Sequence, residues 1–136
     1  MKVLVDTNII IDFLMKREPY YENARKVLME CVKENNEGYI AMHTISNLWY
    51  MLRNETIERR RKCLKIICLA LKVCFSTHSE VYNAIKNEKF ADFEDCLQES
   101  CAYVNKIDYI VTRNVKDFKY SRVKALEPKR FLDYCS

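Results

Sequence analysis

Glycine and proline are almost absent from this sequence. Among its 136 residues there is one glycine, Gly38, and there are two prolines, Pro19 and Pro128. The common phosphate-binding loops need several glycines close together, so both the nucleoside-triphosphate loop and the dinucleotide-binding loop are excluded. The scarcity of chain-breaking residues also predicts short loops and long helices.

Signals for membranes, secretion and cysteine-bound metals are missing as well. No apolar run reaches the roughly 18 residues that a membrane-spanning helix needs, and no signal peptide precedes the first strand-like segment. The seven cysteines include no C-x-x-C pair and fit no zinc-ligand template. We therefore expect reduced, buried thiols in a cytoplasmic protein without membrane contact.

Neither sign of charge dominates. There are 23 Lys and Arg residues against 19 Asp and Glu residues, and 49% of the residues are hydrophobic. These values are typical of a folded domain, and the length predicts one domain over residues 1–136. A net charge of +4 is compatible with a nucleic-acid partner without requiring one. We interpret the basic run Arg59–Lys62 as a solvated helix face.

Strand-like and helix-like patterns alternate along the chain. Short apolar segments predict strands at residues 2–5, 39–42, 72–75, 109–112 and 123–126. Helical periodicity predicts helices over residues 8–15, 19–35, 44–54, 55–71, 77–88, 92–105 and 128–134, and Gly38 is interpreted as the terminator of the second. The alternation predicts an α/β fold of three layers, with a mostly parallel sheet of four or five strands between helices.

Acidic residues gather near one edge of the predicted sheet. Asp6 ends the first strand, Asp92 and Asp95 open a helix, and Asp117 follows the fourth strand with Asn114 three residues before it. The carboxyl ends of parallel strands meet at one edge, so we expect these side chains to converge. Converging carboxylates repel each other unless a cation neutralises them, and oxygen ligands of this kind suit Mg²⁺ or Mn²⁺.

Each acid also has an ordinary structural interpretation. Asp6 can cap the following helix, Asp92 matches a capping pattern with Asp95, and Asp117 can be a turn residue. A phosphatase or phosphoacceptor domain with Asp6 as its nucleophile is disfavoured. One such class needs a second aspartate where Asn8 stands, and another needs an acid after the third strand, where none occurs.

Three motifs together resemble a known family. LVDTNIIIDFL near the start, DFEDCLQ in the middle and DYIVTRNVKDF near the end resemble the PIN domain, particularly the nuclease toxins of bacterial type II toxin–antitoxin pairs. The resemblance covers nearly the whole chain. It implies a central parallel sheet and an acidic pocket that binds Mg²⁺ or Mn²⁺. It also implies metal-dependent hydrolysis of RNA, an antitoxin protein as partner, and a homodimer.

The resemblance assigns catalytic roles to particular residues. Asp6 matches the first acid of the family, Asp95 the third, and either Asp117 or Asn114 the last. Asp6, Asp95 and Asp117 are then the expected metal ligands. The second acid of the family corresponds to Asn47, an amide that adds no negative charge and therefore predicts weaker metal binding.

Other residues are expected to support this site. Asp92 is a candidate additional metal ligand that compensates for Asn47, and Thr112 and Asn8 are expected to hold the carboxylates by hydrogen bonds. The amide at position 47 leaves a second function open. The chain can instead be a catalytically weakened PIN-like module that binds RNA or a protein.

Overall fold

Five strands and seven α-helices alternate in the computed structural model, which describes residues 1–136. The strands are β1 (Lys2–Val5), β2 (Glu37–Ala41), β3 (Lys72–Cys74), β4 (Tyr109–Val111) and β5 (Lys124–Leu126). The helices are α1 (Thr7–Leu14), α2 (Tyr21–Cys31), α3 (Met42–Met51), α4 (Ile57–Ala70), α5 (His78–Lys86), α6 (Phe93–Val104) and α7 (Pro128–Cys135). A short 3₁₀-helix, Val115–Phe118, lies between β4 and β5. The predicted α/β fold is confirmed.

The five strands form one parallel sheet in the order β3-β2-β1-β4-β5. The central strand β1 pairs Leu4 with Tyr39 of β2 on one side and with Ile110 of β4 on the other. The chain first extends the sheet from β1 towards β3 and then continues with β4 on the opposite side of β1. This reversal creates a crevice at the carboxyl ends of β1 and β4, where ligands of open α/β sheets bind.

Helices cover both faces of the sheet. Side chains alternate between the two faces of a strand, so Val3 and Val5 join one buried cluster and Leu4 joins the other. The first cluster includes residues from α1, α2, α3, α4 and α7, and the second includes residues from α5 and α6. The result is the predicted three-layer arrangement. No helix has both the length and the apolar character needed to cross a bilayer.

Gly38 does not end a helix, so this prediction is wrong. α2 already ends at Cys31, and Gly38 is a buried residue within β2. A Cβ atom at position 38 would lie 2.5 Å from Cβ of Cys31 and 2.6 Å from a methyl carbon of Leu71. Glycine is therefore needed here because two neighbouring side chains pack directly against the strand.

Helix α6 is buried over more of its surface than its apolar pattern predicts. Gln98, Glu99 and Ser100 are all at most 3% exposed, whereas the apolar Phe93 at its start is 47% exposed. Glu99 is neutralised by Arg122, whose Nη2 donates to the Glu99 carboxylate over 2.7 Å. The polar side of α6 therefore faces other parts of the protein, including the crevice at the end of β1.

Candidate functional site

Asp6 is the first residue after the central strand. Its backbone N–H donates to the carbonyl of Val111 over 3.0 Å, and its carbonyl accepts from the backbone N–H of Ile9 and of Ile10. Asp6 thus occupies the N-cap position of α1, but its side chain makes no capping hydrogen bond. The carboxylate is consequently not used to cap the helix.

The Asp6 carboxylate is buried and held from two sides. It is 5% exposed, and Gln98 Nε2 donates to Oδ1 over 2.5 Å while Thr112 Oγ1 donates to Oδ2 over 2.6 Å. Thr112 Oγ1 in turn accepts from the backbone N–H of Asn114 over 3.0 Å. These donors fix the orientation of a carboxylate that no cationic side chain neutralises.

Asp95 stands in the first turn of α6 among other acids. The pKa of its carboxyl is raised from the ordinary 3.8 to about 7, chiefly by partial burial and in addition by the nearby negative charges of Asp6, Asp92, Asp117 and Glu94. Every neighbouring charge that shifts this pKa is negative. The structure therefore brings several of the predicted site residues into one region of uncompensated negative charge.

Asp92 has the structural role that its sequence position suggested as an alternative. It is the N-cap of α6, and its Oδ1 accepts from the backbone N–H of Asp95 over 3.1 Å. Its side chain is exposed at the edge of the site. The capping role does not exclude a second role for Asp92 in the site, because only Oδ1 accepts the capping hydrogen bond and Oδ2 has no partner.

Asp117 and Asn114 both lie on the segment that follows β4. Asn114 precedes the 3₁₀-helix, and its carbonyl accepts from the backbone N–H of Asp117 over 2.9 Å. Both residues are exposed, and neither side chain makes a hydrogen bond. Asn114 also lines a cavity of about 380 Å³ that lies beside this segment. Asp117 is thus the member of the pair whose charge reaches Asp95.

A buried ion pair anchors this segment to α1. Asp12, the second aspartate of the first motif, is fully buried, and Arg113 Nε donates to its Oδ2 over 2.6 Å. The Arg113 guanidinium also lies 4.0 Å from the ring centroid of Tyr20. Asp12 is therefore neutralised and stands apart from the acidic region, while Arg113 fixes the chain next to Thr112.

Asn47 contacts a residue that the sequence did not single out. Its Nδ2 donates to Oε2 of Glu94 over 3.0 Å, linking α3 to the first turn of α6. His43, one turn earlier on α3, places Nε2 at 3.2 Å from the backbone carbonyl of Glu94. In the sequence, Glu94 is indicated only by its position next to Asp95. An acid at that position is equally typical of a residue that stabilises a helix N-terminus.

Asn8 does not support a carboxylate, so this prediction is wrong. Its side chain makes no hydrogen bond, and its Oδ1 is buried without a partner. The Asp6 carboxylate accepts its side-chain hydrogen bonds from Gln98 and Thr112 instead. The same prediction for Thr112 agrees with its hydrogen bond to Asp6.

The donor atoms of the site fit a hard divalent cation. Oxygen atoms of carboxylates are the ligands that Mg²⁺ and Mn²⁺ prefer, and Asp6, Asp95 and Asp117 form no ion pair with a lysine or arginine. No three acidic, histidine or cysteine side chains are arranged as they stand to enclose one ion. Both oxygens of the Asp6 carboxylate instead accept from protein donors, one from Gln98 and the other from Thr112.

Known proteins share this fold. VapBC-1 from nontypeable Haemophilus influenzae matches with a TM-score of 0.71 at 19% identity, over 95% of this chain and 99% of that chain. A toxin–antitoxin complex from Klebsiella pneumoniae matches with a TM-score of 0.69 at 18% identity, over 93% and 97%. VapC20 from Mycobacterium tuberculosis, described as a toxin that cleaves the sarcin–ricin loop, matches with a TM-score of 0.62 at 15% identity, over 79% and 86%.

The family match is found at the level of sequence. No curated protein sequence matches the chain, but the family model described as "PIN domain" matches residues 2–116. This region includes Asp6, Asn47, Asp95 and Asn114 and ends one residue before Asp117. The chain belongs to the PIN domain family.

Proposed function

We propose that the protein is a metal-dependent endoribonuclease that uses Mg²⁺ or Mn²⁺, and that it is the toxin of a toxin–antitoxin pair. The observation that carries the proposal is the gathering of acids around Asp95 at the carboxyl ends of β1 and β4, without a basic partner. Membership of the PIN domain family supports the same chemistry. We further propose a cytoplasmic, homodimeric protein whose single domain spans residues 1–136.

The structural relatives support the choice of substrate and partner. The Mycobacterium tuberculosis relative is described as cleaving the sarcin–ricin loop, which favours RNA as the substrate class. The Klebsiella pneumoniae relative is a toxin–antitoxin complex, which favours a cognate antitoxin protein as the partner. The net charge of +4 adds a weak general attraction for a phosphate backbone.

The proposed metal ligands are Asp6, Asp95 and Asp117, with Asp92 as an additional ligand. When bound, a divalent cation would neutralise these carboxylates and supply the Lewis acidity that phosphodiester hydrolysis needs. Asn47 and Asn114 would contribute neutral amide groups at the edge of the site.

The residues around the carboxylates would prepare the site before RNA arrives. Gln98 and Thr112 fix the Asp6 carboxylate, so its orientation need not be established during the reaction. The Asp95 carboxyl, with its pKa of about 7, can hold or release a proton near neutral pH. Binding of a cation is therefore expected to displace a proton from Asp95.

A nuclease assay tests the proposal directly. The protein is freed of metal with EDTA and incubated with total RNA and with a sarcin–ricin stem-loop, with and without Mn²⁺. We expect cleavage by the wild type only when Mn²⁺ is present, and none by the double variant Asp6→Asn with Asp95→Asn. Cleavage that persists in EDTA or in the double variant would contradict the proposed site.

Asn47 favours one alternative function, because an amide stands where the family resemblance implies an acid. In that case the protein would bind RNA or a protein partner without cutting RNA. The two functions differ in a simple way. Retention of the RNA on the protein at saturating Mn²⁺, with all the RNA intact, supports the binding module.

A further inference from the structure

The acid that α3 lacks has a counterpart on α6. We propose that Glu94 supplies to the metal site the carboxylate missing at position 47, and that Asn47 positions it. This inference rests on the proposed function, since it names a further metal ligand of the same site. Glu94 would be the ligand, and Asn47 would act through it as a positioning residue.

Helix α3 contacts Glu94 at two points. Asn47 Nδ2 donates to Glu94 Oε2 over 3.0 Å, and His43 Nε2 lies 3.2 Å from the Glu94 backbone carbonyl. His43 and Asn47 are four residues apart and so lie on the same face of α3. The side chain and the backbone of Glu94 are therefore both tied to one helix face, which restricts where its carboxylate can lie.

The amide at position 47 and the acid at position 94 are chemically complementary. The Asn47 NH₂ group is a hydrogen-bond donor, whereas an ionised carboxylate can only accept. An aspartate at position 47 would therefore face Glu94 with a second negative charge at hydrogen-bond distance. With Asn47 on α3 and Glu94 on α6, the pair carries the single negative charge that an acid at position 47 would supply, but the charge lies on α6.

The location of Glu94 suits a metal ligand. It is adjacent to Asp95 in the first turn of α6, whose N-terminus is fixed by the Asp92 cap. Only Oε2 of Glu94 is engaged in a hydrogen bond, so Oε1 remains free to contact a cation. Glu94 also makes no ion pair with a lysine or arginine.

An ordinary interpretation must be separated from this one, because acids in a first helical turn stabilise the helix through its dipole. Glu58 is the matched control, since it is an exposed glutamate in the first turn of α4. Mn²⁺ binding to the metal-free protein is measured by calorimetry for the wild type, Glu94→Gln and Glu58→Gln. We expect Glu94→Gln to weaken Mn²⁺ binding at least tenfold and Glu58→Gln to leave it unchanged.

An exchange of the two groups tests the role of Asn47. In the double variant Asn47→Asp with Glu94→Gln, the new amide at 94 can donate to the new carboxylate at 47. We expect this variant to bind Mn²⁺ within about threefold of the wild type, with the same circular dichroism spectrum and melting temperature. A double variant that binds no more tightly than Glu94→Gln alone overturns the assignment of Asn47 as the partner of Glu94.

The outcomes separate this inference from the proposed function. If the wild type binds Mn²⁺ and Glu94→Gln binds it equally well, the role of Glu94 is refuted while the metal site stands. If the wild type binds no Mn²⁺ at millimolar concentration, the proposed metal-dependent function fails, and the assignment of Glu94 fails with it.

Discussion

Replacing Asp95 by asparagine should make the metal-free protein more stable at neutral pH. The carboxyl of Asp95 has its pKa raised from 3.8 to about 7 by partial burial and by neighbouring acids, which means that folding disfavours its charged form. A residue retained at a cost in stability is typical of a functional site. The substitution to asparagine removes the charge and keeps the size of the side chain.

The size of the effect follows from the pKa. A rise from 3.8 to about 7 corresponds to about 4 kcal/mol, at about 1.4 kcal/mol per pKa unit. Asp95 remains partly in contact with water, and screening there reduces the expected gain to about 2 kcal/mol. The folded state binds this proton more tightly than the unfolded state. The contribution of the Asp95 carboxyl to the unfolding free energy of the wild type is therefore fully present below pH 3.8 and is lost as the pH rises to 7.

Urea unfolding in EDTA at pH 5 and pH 7.5 measures this effect. Asp95→Asn should exceed the wild type in unfolding free energy at pH 7.5, and by a smaller margin at pH 5. Asp133→Asn is the control, because Asp133 is an exposed acid on α7 without an ion pair. Added Mn²⁺ should stabilise the wild type and Asp133→Asn but not Asp95→Asn. An Asp95→Asn protein that is no more stable than the wild type at pH 7.5 would refute the reasoning.

Three further substitutions test the packing around the site by urea unfolding. Thr112→Val removes a hydrogen bond to buried Asp6 and should lower the unfolding free energy by about 1.5–3 kcal/mol. A loss below about 0.5 kcal/mol would argue that this hydrogen bond does not stabilise the fold. Arg113→Met removes the guanidinium hydrogen bonds to buried Asp12, leaves only Arg17 Nη1 at 4.0 Å from Asp12 Oδ1, and should cost about 3 kcal/mol, whereas an unchanged stability contradicts a structural ion pair. Gly38→Ala puts a methyl group 2.5 Å from a side-chain carbon and should cost about 1–3 kcal/mol. Wild-type stability there would disprove the close packing.

The sequence was sufficient to predict the elements and part of the arrangement of the candidate site residues. Strands and helices follow from local patterns, so β1 was predicted at its observed bounds and most other elements within a few residues. Asp6 could be found because it stands where a strand gives way to a helix. Its hydrogen bond from Thr112 could be anticipated because both residues follow parallel strands that end at one edge.

The remaining site features depend on contacts between distant segments. Gln98 is polar and sits on an amphipathic helix, and nothing in its own neighbourhood indicates that it is 2% exposed and bound to Asp6. The contact between Asn47 and Glu94 joins residues that are 47 positions apart. Gly38 looked like a helix terminator because its role depends on the packing of side chains from other elements.

The strand order has a consequence for when the site can exist during synthesis. Asp6 is synthesised before its partners Gln98 and Thr112, which follow 92 and 106 residues later in the chain. The central strand likewise gains its neighbour β4 only after most of the chain has been made. Pairing across such separations is slow to form because the intervening loop must close first. A growing chain that ends before Thr112 therefore contains Asp6 and Asp95 but lacks a donor that holds the Asp6 carboxylate, so the proposed nuclease site is assembled only when nearly the whole domain has been made.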